Sequence, residues 1–332
     1  MFIIDSYTTA ILFCIVTMLC WGSWANTQKL TSATWRFELF YWDYAFGILL
    51  LSLILAFTLG SNGSSGRSFI VDINQADGKH ILSAFIGGFV FNLANILLVS
   101  AIALAGMSVA FPVGIGIALI LGVIVNYAAN PKGNAVLLFA GVILIAVAII
   151  INANAYRQVN KGKTSFSSKG LLLAIIAGIL MGFFYRYVAA SMVTDFEIPE
   201  AGKLTPYTAL VFFALGVVAS NFLFNTILMY FPISGNRLSI GDYFKGTFKD
   251  HLTGILGGII WHAGMSFNII ASGKAGPAIS YGLGQGATII AAIWGIFIWK
   301  EFASASRKTY RNLYLMLLLY VAGLGLIIIA NF

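Results

Sequence analysis

Apolar residues run along this chain in long uninterrupted stretches. No charged side chain falls within residues 6–28, 81–131 or 204–236, stretches of 23, 51 and 33 residues. A helix that crosses a bilayer needs about 20 apolar residues, because each residue advances it only about 1.5 Å. Breaks at charged or turn-rich segments divide the chain into ten such helices. The first five are predicted near 7–24, 39–59, 81–103, 107–128 and 136–152. The second five are predicted near 170–192, 206–231, 251–272, 277–299 and 313–329. Segments 61–66 and 161–168 read as exposed loops from their Gly, Ser and Lys content.

Composition narrows the class further. Of 332 residues, 60% are hydrophobic and 9% charged, and the mean hydropathy is +0.92. Soluble domains carry about 25% charged residues, so a cytosolic enzyme is excluded. Cys14 and Cys20 both lie in the first apolar run, where neither a disulfide framework nor a metal cluster is expected. No Lys or Arg precedes that run, which follows Asp5, so it is expected to stay as a helix and not to be removed as a signal peptide. The net charge of +8 is spread over loops, which reads as membrane topology and not as nucleic-acid binding. Five cations, Arg67, Lys79, Lys132, Lys203 and Lys274, share a side with the N-terminus, and thirteen lie on the other. The positive-inside rule then places both termini outside the cytoplasm, in a multi-pass protein of the cell (inner) membrane.

The halves of the chain resemble one another. At an offset of 170 residues and without a gap, Gly87, Gly88, Gly106, Gly114 and Gly116 meet Gly257, Gly258, Gly276, Gly284 and Gly286. An offset of 160 pairs Gly22 with Gly182. With five helices per half, the second copy enters the membrane upside down, and inverted repeats mark secondary transporters whose site lies at the repeat interface. The plainer reading is that membrane helices use many small residues for packing.

Several residues could carry chemistry within these spans. His262 lies midway along the eighth, eleven residues or about 16 Å beyond His251. An ionisable group at that depth is costly unless it faces a polar cavity or a partner. Its repeat mate is Asn92, with Asn95 one turn further and Ser266 one turn beyond His262. These are expected to bind substrate at the centre, His262 also titrating, or else to act as hydrogen-bonding glue between helices. Asn268 points elsewhere and is given a structural role. Tyr281 and Gln285, four apart, are expected to present a ring and an amide to one volume. They lie in a span weakened by Pro277, Gly282 and Gly284, and Pro112 interrupts the matching span of the first half. Paired Gly/Pro-interrupted spans point to hinges around a transport site.

Trp21 and Trp24 form an aromatic wall for a planar ligand or sugar face, or an interfacial belt. Trp261 and Trp294 are more central and serve cavity or packing. Asp43 is expected to be a proton-coupling carboxylate, or else one paired with Lys29 or Arg36. Glu38 is solvated or ion-paired. Arg186 would draw anionic groups into the outer mouth, or snorkel to headgroups. There is no phosphate-binding loop, no metal-ligand spacing and no intramembrane carboxylate cluster. The inferred cavity is polar, aromatic and nearly uncharged, which suits a neutral hydrogen-bonding solute.

The motifs Leu19-Cys20-Trp21-Gly22-Ser23-Trp24 and Phe40-Tyr41-Trp42-Asp43-Tyr44 resemble the first two helices of the ureide permease family. Plant members carry proline after the first motif, where this chain has Ala25. With rhamnose–proton symporters and glucose uptake proteins, that family belongs to the drug/metabolite transporter superfamily. The resemblance implies ten helices, an outward N-terminus and proton-coupled uptake of ureides, nucleobases or sugars.

The sequence thus predicts an all-α membrane protein of ten transmembrane helices, two inverted five-helix repeats (1–160 and 161–332) forming one transport domain of the drug/metabolite transporter fold. It is expected to be a permease and no enzyme, with no cofactor or metal. Its expected partners are a small-molecule substrate, protons or sodium in their place, and the lipid bilayer, with no nucleic acid, as a monomer or homodimer. An exporter of amino acids, metabolites or drugs on the same fold is the alternative.

Overall fold

A computed structural model describes the backbone of residues 1–159, 167–233, 235–300, 302–303 and 305–331, and their side chains except at 107, 108 and 111. Most of the loop expected at 161–168, Lys161 and Lys163, and the division at 160/161 lie outside the described residues. The first half contains α1 (Tyr7–Ser23), α2 (Phe37–Phe57), α3 (Phe69–Gln75), α4 (Gly78–Ala105), α5 (Met107–Ala129) and α6 (Ala135–Val159). The second contains α7 (Ser168–Ser191), α8 (Pro206–Tyr230), α9 (Ile240–Tyr243), α10 (Phe248–Ala275), α11 (Pro277–Gly284), α12 (Ala287–Ile293) and α13 (Arg307–Ile329). Ten spans among the described residues are long and apolar enough to cross a membrane, with α11 and α12 sharing one.

Two spans depart from the continuous helices expected. The first does not stop at Trp24 but continues as a 3₁₀ turn, Trp24–Leu30. There the Asn26 amide donates to the Ser23 carbonyl (3.1 Å) and the Thr27 hydroxyl to the Trp24 carbonyl (2.8 Å). Such side-chain bonds to the backbone compete with the α-helical ladder. The ninth span breaks between α11 and α12, at Gln285 and Gly286, and ends in a π turn, Trp294–Ile298. Three glycines on alternate positions weaken the helix there, by about 1 kcal/mol each relative to alanine.

Two helix crossings are built alike. A Cβ on Gly88 of α4 would lie 1.9 Å from the Phe213 carbonyl oxygen of α8, and one on Gly216 of α8 would lie 2.1 Å from that of Phe85. Across α2 and α10, a Cβ on Gly258 would lie 2.0 Å from the Tyr44 oxygen and one on Gly47 2.2 Å from that of Ile255. Only glycine lets two backbones meet this closely. Both α4 and α10 end at a glycine of positive φ, Gly106 at 78° and Gly276 at 82°. The matching residues stand 169 or 170 apart in sequence, the contact pattern an inverted repeat would give.

Both termini lie at one end of the bundle. The Met1 ammonium reaches the Ser65 carbonyl, and the Tyr7 hydroxyl donates to the Ile328 carbonyl at 2.6 Å. At this terminal end the segment 193–205 is docked by a buried clamp. Arg67 donates to the Asp72 carboxylate (2.8 Å) and to the carbonyls of Pro199, Glu200 and Lys203 (2.7–3.0 Å). Asp72 is fully buried and also accepts from the Thr205 amide at 2.7 Å.

Candidate functional site

A cavity of about 450 Å³ runs from the middle of the bundle to the end opposite the termini. Irregular helix surrounds it: the 3₁₀ turn after α1 supplies Trp24, Asn26 and Lys29, and the break after α11 supplies Gln285 and Thr288. An interrupted helix can turn polar groups toward a cavity at membrane depth, where lipid-exposed backbone could not exist.

Aromatic rings form the inner wall. Trp21 and Trp261 stack at 5.8 Å with 13° between planes, and Phe91 lies 4.2 Å from Trp261 on the ring centroids. The Trp21 indole donates to the Trp261 carbonyl at 3.1 Å, which fixes its ring. Toward the mouth, the Trp294 indole donates to Ser23 (2.8 Å) and the Trp299 indole to Asn26 (2.7 Å). The Lys29 ammonium lies 4.2 Å over Trp299, a cation–π contact. Lys29 is the one charged side chain on the wall among the described residues. Asn95, Asn152, Gln285 and Thr288 supply neutral donors and acceptors, and the Asn95 amide donates to Tyr41 at 2.9 Å.

Of the residues expected at a substrate site, Trp21, Trp24, Asn95 and Gln285 line this cavity, as does Pro112. The others stand off the wall. Trp261 faces the cavity, so His262, about 100° further round the helix, is turned into the bundle. It is fully buried, and neither ring nitrogen nor the Ser266 hydroxyl finds a hydrogen-bond partner among the described residues. Phe91 likewise faces the cavity, while the Asn92 amide donates to Ser220 at 3.0 Å. Tyr281 does not share Gln285's volume. Its ring fills the socket left by Gly122, whose Cβ would lie 2.2 Å from it, and its hydroxyl meets the Ala118 and Met181 carbonyls at 3.1 Å. Asn268 donates to the Ser280 carbonyl at 2.7 Å. Gly284 gives room to Trp21, Gly282 packs against Val123, and Pro277 opens α11, so the helix breaks just beyond all three. Arg186 lies half-buried near the end of α7, away from the cavity mouth.

Asp43 is paired, but with neither Lys29 nor Arg36. Its carboxylate accepts from the Tyr243 hydroxyl at 2.5 Å and lies 2.9 Å from His251 Nδ1. Arg36 binds Glu38 instead. Burial first, then the bond to Asp43 and its charge, push the Tyr243 phenol well above its ordinary value. Sequence reasoning missed His251, Tyr243, Asn152 and Thr288. Asn152 was visible as a polar residue closing an apolar run, but the partners of Asp43 lie 200 and 208 residues away.

At the terminal end, contacts cross between loops and α10 around a smaller depression of about 330 Å³. Phe196 caps Gly273, Glu197 pairs with Lys274 at 3.1 Å, and Lys132 donates to the Lys274 carbonyl.

Comparison with known proteins gives these features a family. Ureide permease 1 of Arabidopsis thaliana is 23% identical over 387 aligned positions, covering 100% of this chain and 99% of its own. The glucose uptake protein GlcU of Bacillus subtilis is 26% identical over 80% of this chain and 79% of its own. A solved crystal structure superposes on 97% of this chain and 96% of its own, with a TM-score of 0.60 at 15% identity, a likeness of fold. The ureide permease sequence profile matches residues 40–166 and 155–330. The chain belongs to the ureide permease family.

Proposed function

We propose that this protein is a proton-coupled secondary transporter that imports a small neutral polar solute, a ureide, nucleobase or sugar, by alternating access. The observation that carries the reading is the cavity itself: aromatic inside, furnished with neutral amides, with Lys29 the one charged side chain on its wall among the described residues, and opening at the end opposite the termini. A neutral ring or polyol can stack on Trp21 or Trp24 and hydrogen-bond Asn95 and Gln285. The names of the relatives, ureide permeases and glucose uptake proteins, fit such solutes. By the loop charges, the open end is the cytoplasmic one, so this conformer is the release state of an importer. Segments 1–160 and 161–332 act as inverted repeats whose exchange of conformation opens the terminal end. Protons drive the cycle, with Asp43 or His262 carrying one.

Uptake of labelled allantoin, uracil, rhamnose and glucose into proteoliposomes, with and without an inward proton gradient, tests this reading. Gradient-stimulated uptake of one compound is expected, and Gln285→Ala or Asn95→Ala should lower it about tenfold or more by removing a buried hydrogen bond to the solute. Uptake stimulated only by a sodium gradient would replace the coupling ion. Transport of amphipathic compounds out of the compartment facing Lys29 would favour the exporter, which the many apolar residues of the wall would also serve.

A further inference from the structure

Away from the cavity, one cluster of titratable side chains bridges three elements at the open end. Asp43 comes from α2, His251 from the first turn of α10, and Tyr243 closes the short helix α9. The carboxylate is 3% exposed, whereas the His251 side chain is 25% exposed and so reachable from that end. Nδ1 faces Asp43 at 2.9 Å, and Nε2 points past Gly246, whose Cβ would lie 2.7 Å from it.

We propose that Asp43 and His251 are the proton-binding pair of this transporter, with Tyr243 as the residue that positions the carboxylate. This rests on the reading above that transport is proton-driven. With Asp43 ionised, His251 donates Nδ1–H to it and Nε2 is free to take a proton. Binding one there converts imidazole to imidazolium and a hydrogen bond into an ion pair across the α2–α10 contact. In this conformer the proton leaves by the same atom to the open end, the release half of an import cycle.

The surroundings leave His251 as the group that changes charge. Asp250, beside it on α10, is occupied by the Ser32 amide (2.7 Å) and by the amide and hydroxyl of Thr247 (3.1 and 2.7 Å). On α9, Asp242 is held below the usual carboxylate range by Lys245 and then by the amide and hydroxyl of Ser239. At the start of α2, Arg36 and Glu38 pair with each other, and from α8 the Asn225 amide donates to the Glu38 carbonyl. Lys249 is exposed next to Asp250, and Trp35 meets the His251 ring edge-on at 5.1 Å. Tyr243, its phenol raised by burial and by Asp43, stays a donor throughout the useful pH range.

A purely structural tie would not need an imidazole. At the matching crossing, the offsets that align the glycines place Phe212 opposite Asp43 and Ile81 opposite His251, both apolar. There the start of α8 is tied to α3 by Asp72, which accepts from the Thr205 amide and pairs with the Arg67 guanidinium. The pair also has a route to the cavity. Tyr44, next to Asp43, lies 4.6 Å from the ring of Trp24 and 6.5 Å from that of Trp261, both on the wall. Gly257 and Gly258 of α10 pack on Tyr44, so movement between α2 and α10 is felt there directly.

The experiment compares gradient-driven accumulation with solute counterflow at equal pH for wild type, Asp43→Asn, His251→Gln and Tyr243→Phe, using whichever panel compound the wild type carries. An inward gradient of about one pH unit sustains about tenfold accumulation by a one-proton symporter. Asp43→Asn and His251→Gln should lose that accumulation yet keep counterflow within about threefold, which also reports that they fold, since exchange needs no net proton movement. Tyr243→Phe should keep coupling with a shifted pH profile. If all three variants accumulate solute as wild type does, the pair is not the proton site. If wild type shows counterflow without gradient stimulation, proton coupling fails and the pair with it. A wild type inert to every compound defeats the transport reading itself. Loss of counterflow and accumulation together, in well-folded variants, assigns the pair to general architecture and overturns the proposal.

Discussion

The α2–α10 and α4–α8 crossings share a backbone plan and differ in how their ends are fastened. In each, two glycines bring a backbone carbonyl to within van der Waals contact of the facing helix. At the terminal end, the start of α8 and the 193–205 segment are held to α3 through Arg67 and Asp72, and the Asp77 amide before α4 donates to the Gly202 carbonyl at 2.8 Å. At the open end, the starts of α2 and α10 are held by Asp43, His251 and Tyr243, and by Asp250 on the Ser32 amide. The first fastening is built on a guanidinium and the second on an imidazole. On the proposal above, one end is a fixed seal and the other a switch, a difference that packing alone would not reveal.

The sharpest way to break this comparison is to remove the fixed fastening. Arg67→Ala leaves Asp72 buried without its cation and the Pro199 and Glu200 carbonyls without their Arg67 donor, while Gln75 still donates to the Lys203 carbonyl, and removing one partner of a buried pair costs about 3–5 kcal/mol. The melting temperature in detergent should fall well below that of the wild type, and the new protease sensitivity should map to 193–205. His251→Gln, at the other end, keeps a side-chain amide for Asp43 and should cost far less. Equal losses would mean that both ends are merely structural.

Next in size come the glycines. Gly88→Ala and Gly258→Ala each drive a methyl into a backbone carbonyl, and overpacking of a tight core costs about 1–3 kcal/mol. Because the clashing atoms sit at 1.9 and 2.0 Å from the new Cβ, the two losses should be alike and near the top of that range. A tolerated change at one site, with loss at the other, would show that the crossings are not equivalent. Ile81→Gln and Phe212→Leu, at the positions matching His251 and Asp43, should leave gradient coupling unchanged, as read by the same accumulation assay.

Much of the fold was legible because membrane spans are written locally, as apolar runs between charged loops. The ten spans follow, and Gly88 and Gly258, matched at the 170-residue offset, each stand at one of the two crossings. Local periodicity carried less of the site. It placed Trp21, Trp24, Asn95 and Gln285 in spans, and these line the cavity, though Trp24 opens a 3₁₀ turn and Gln285 sits at a helix break. It could not tell Trp261 from His262, one residue apart, as the side turned to the cavity. Four-residue spacing put Tyr281 beside Gln285, but the long tyrosine ring reaches past the wall into the Gly122 socket. The partners of Asp43 were invisible, since they come from α9 and α10, far along the chain, and only the packing of α2 on α10 brings them together.

The smallest expected effects concern the polar residues at the heart of the two crossings, Asn92 and His262. Asn92 is bonded to Ser220, which also donates to the Gly216 carbonyl, so Asn92→Ala should cost only about 0.6 kcal/mol, typical of such a bond in a membrane protein. His262 has no such partner among the described residues in this conformer. Replacing a buried, unbonded polar ring by an apolar one of similar shape removes a desolvation penalty of about 1–3 kcal/mol. His262→Phe should therefore raise the melting temperature slightly. Uptake of the transported solute should nevertheless fall, because a buried ring left unbonded here is expected to find its partner in the conformer open at the terminal end. If His262→Phe is both more stable and fully active, the imidazole has no role in the cycle, and the two central residues differ only in packing.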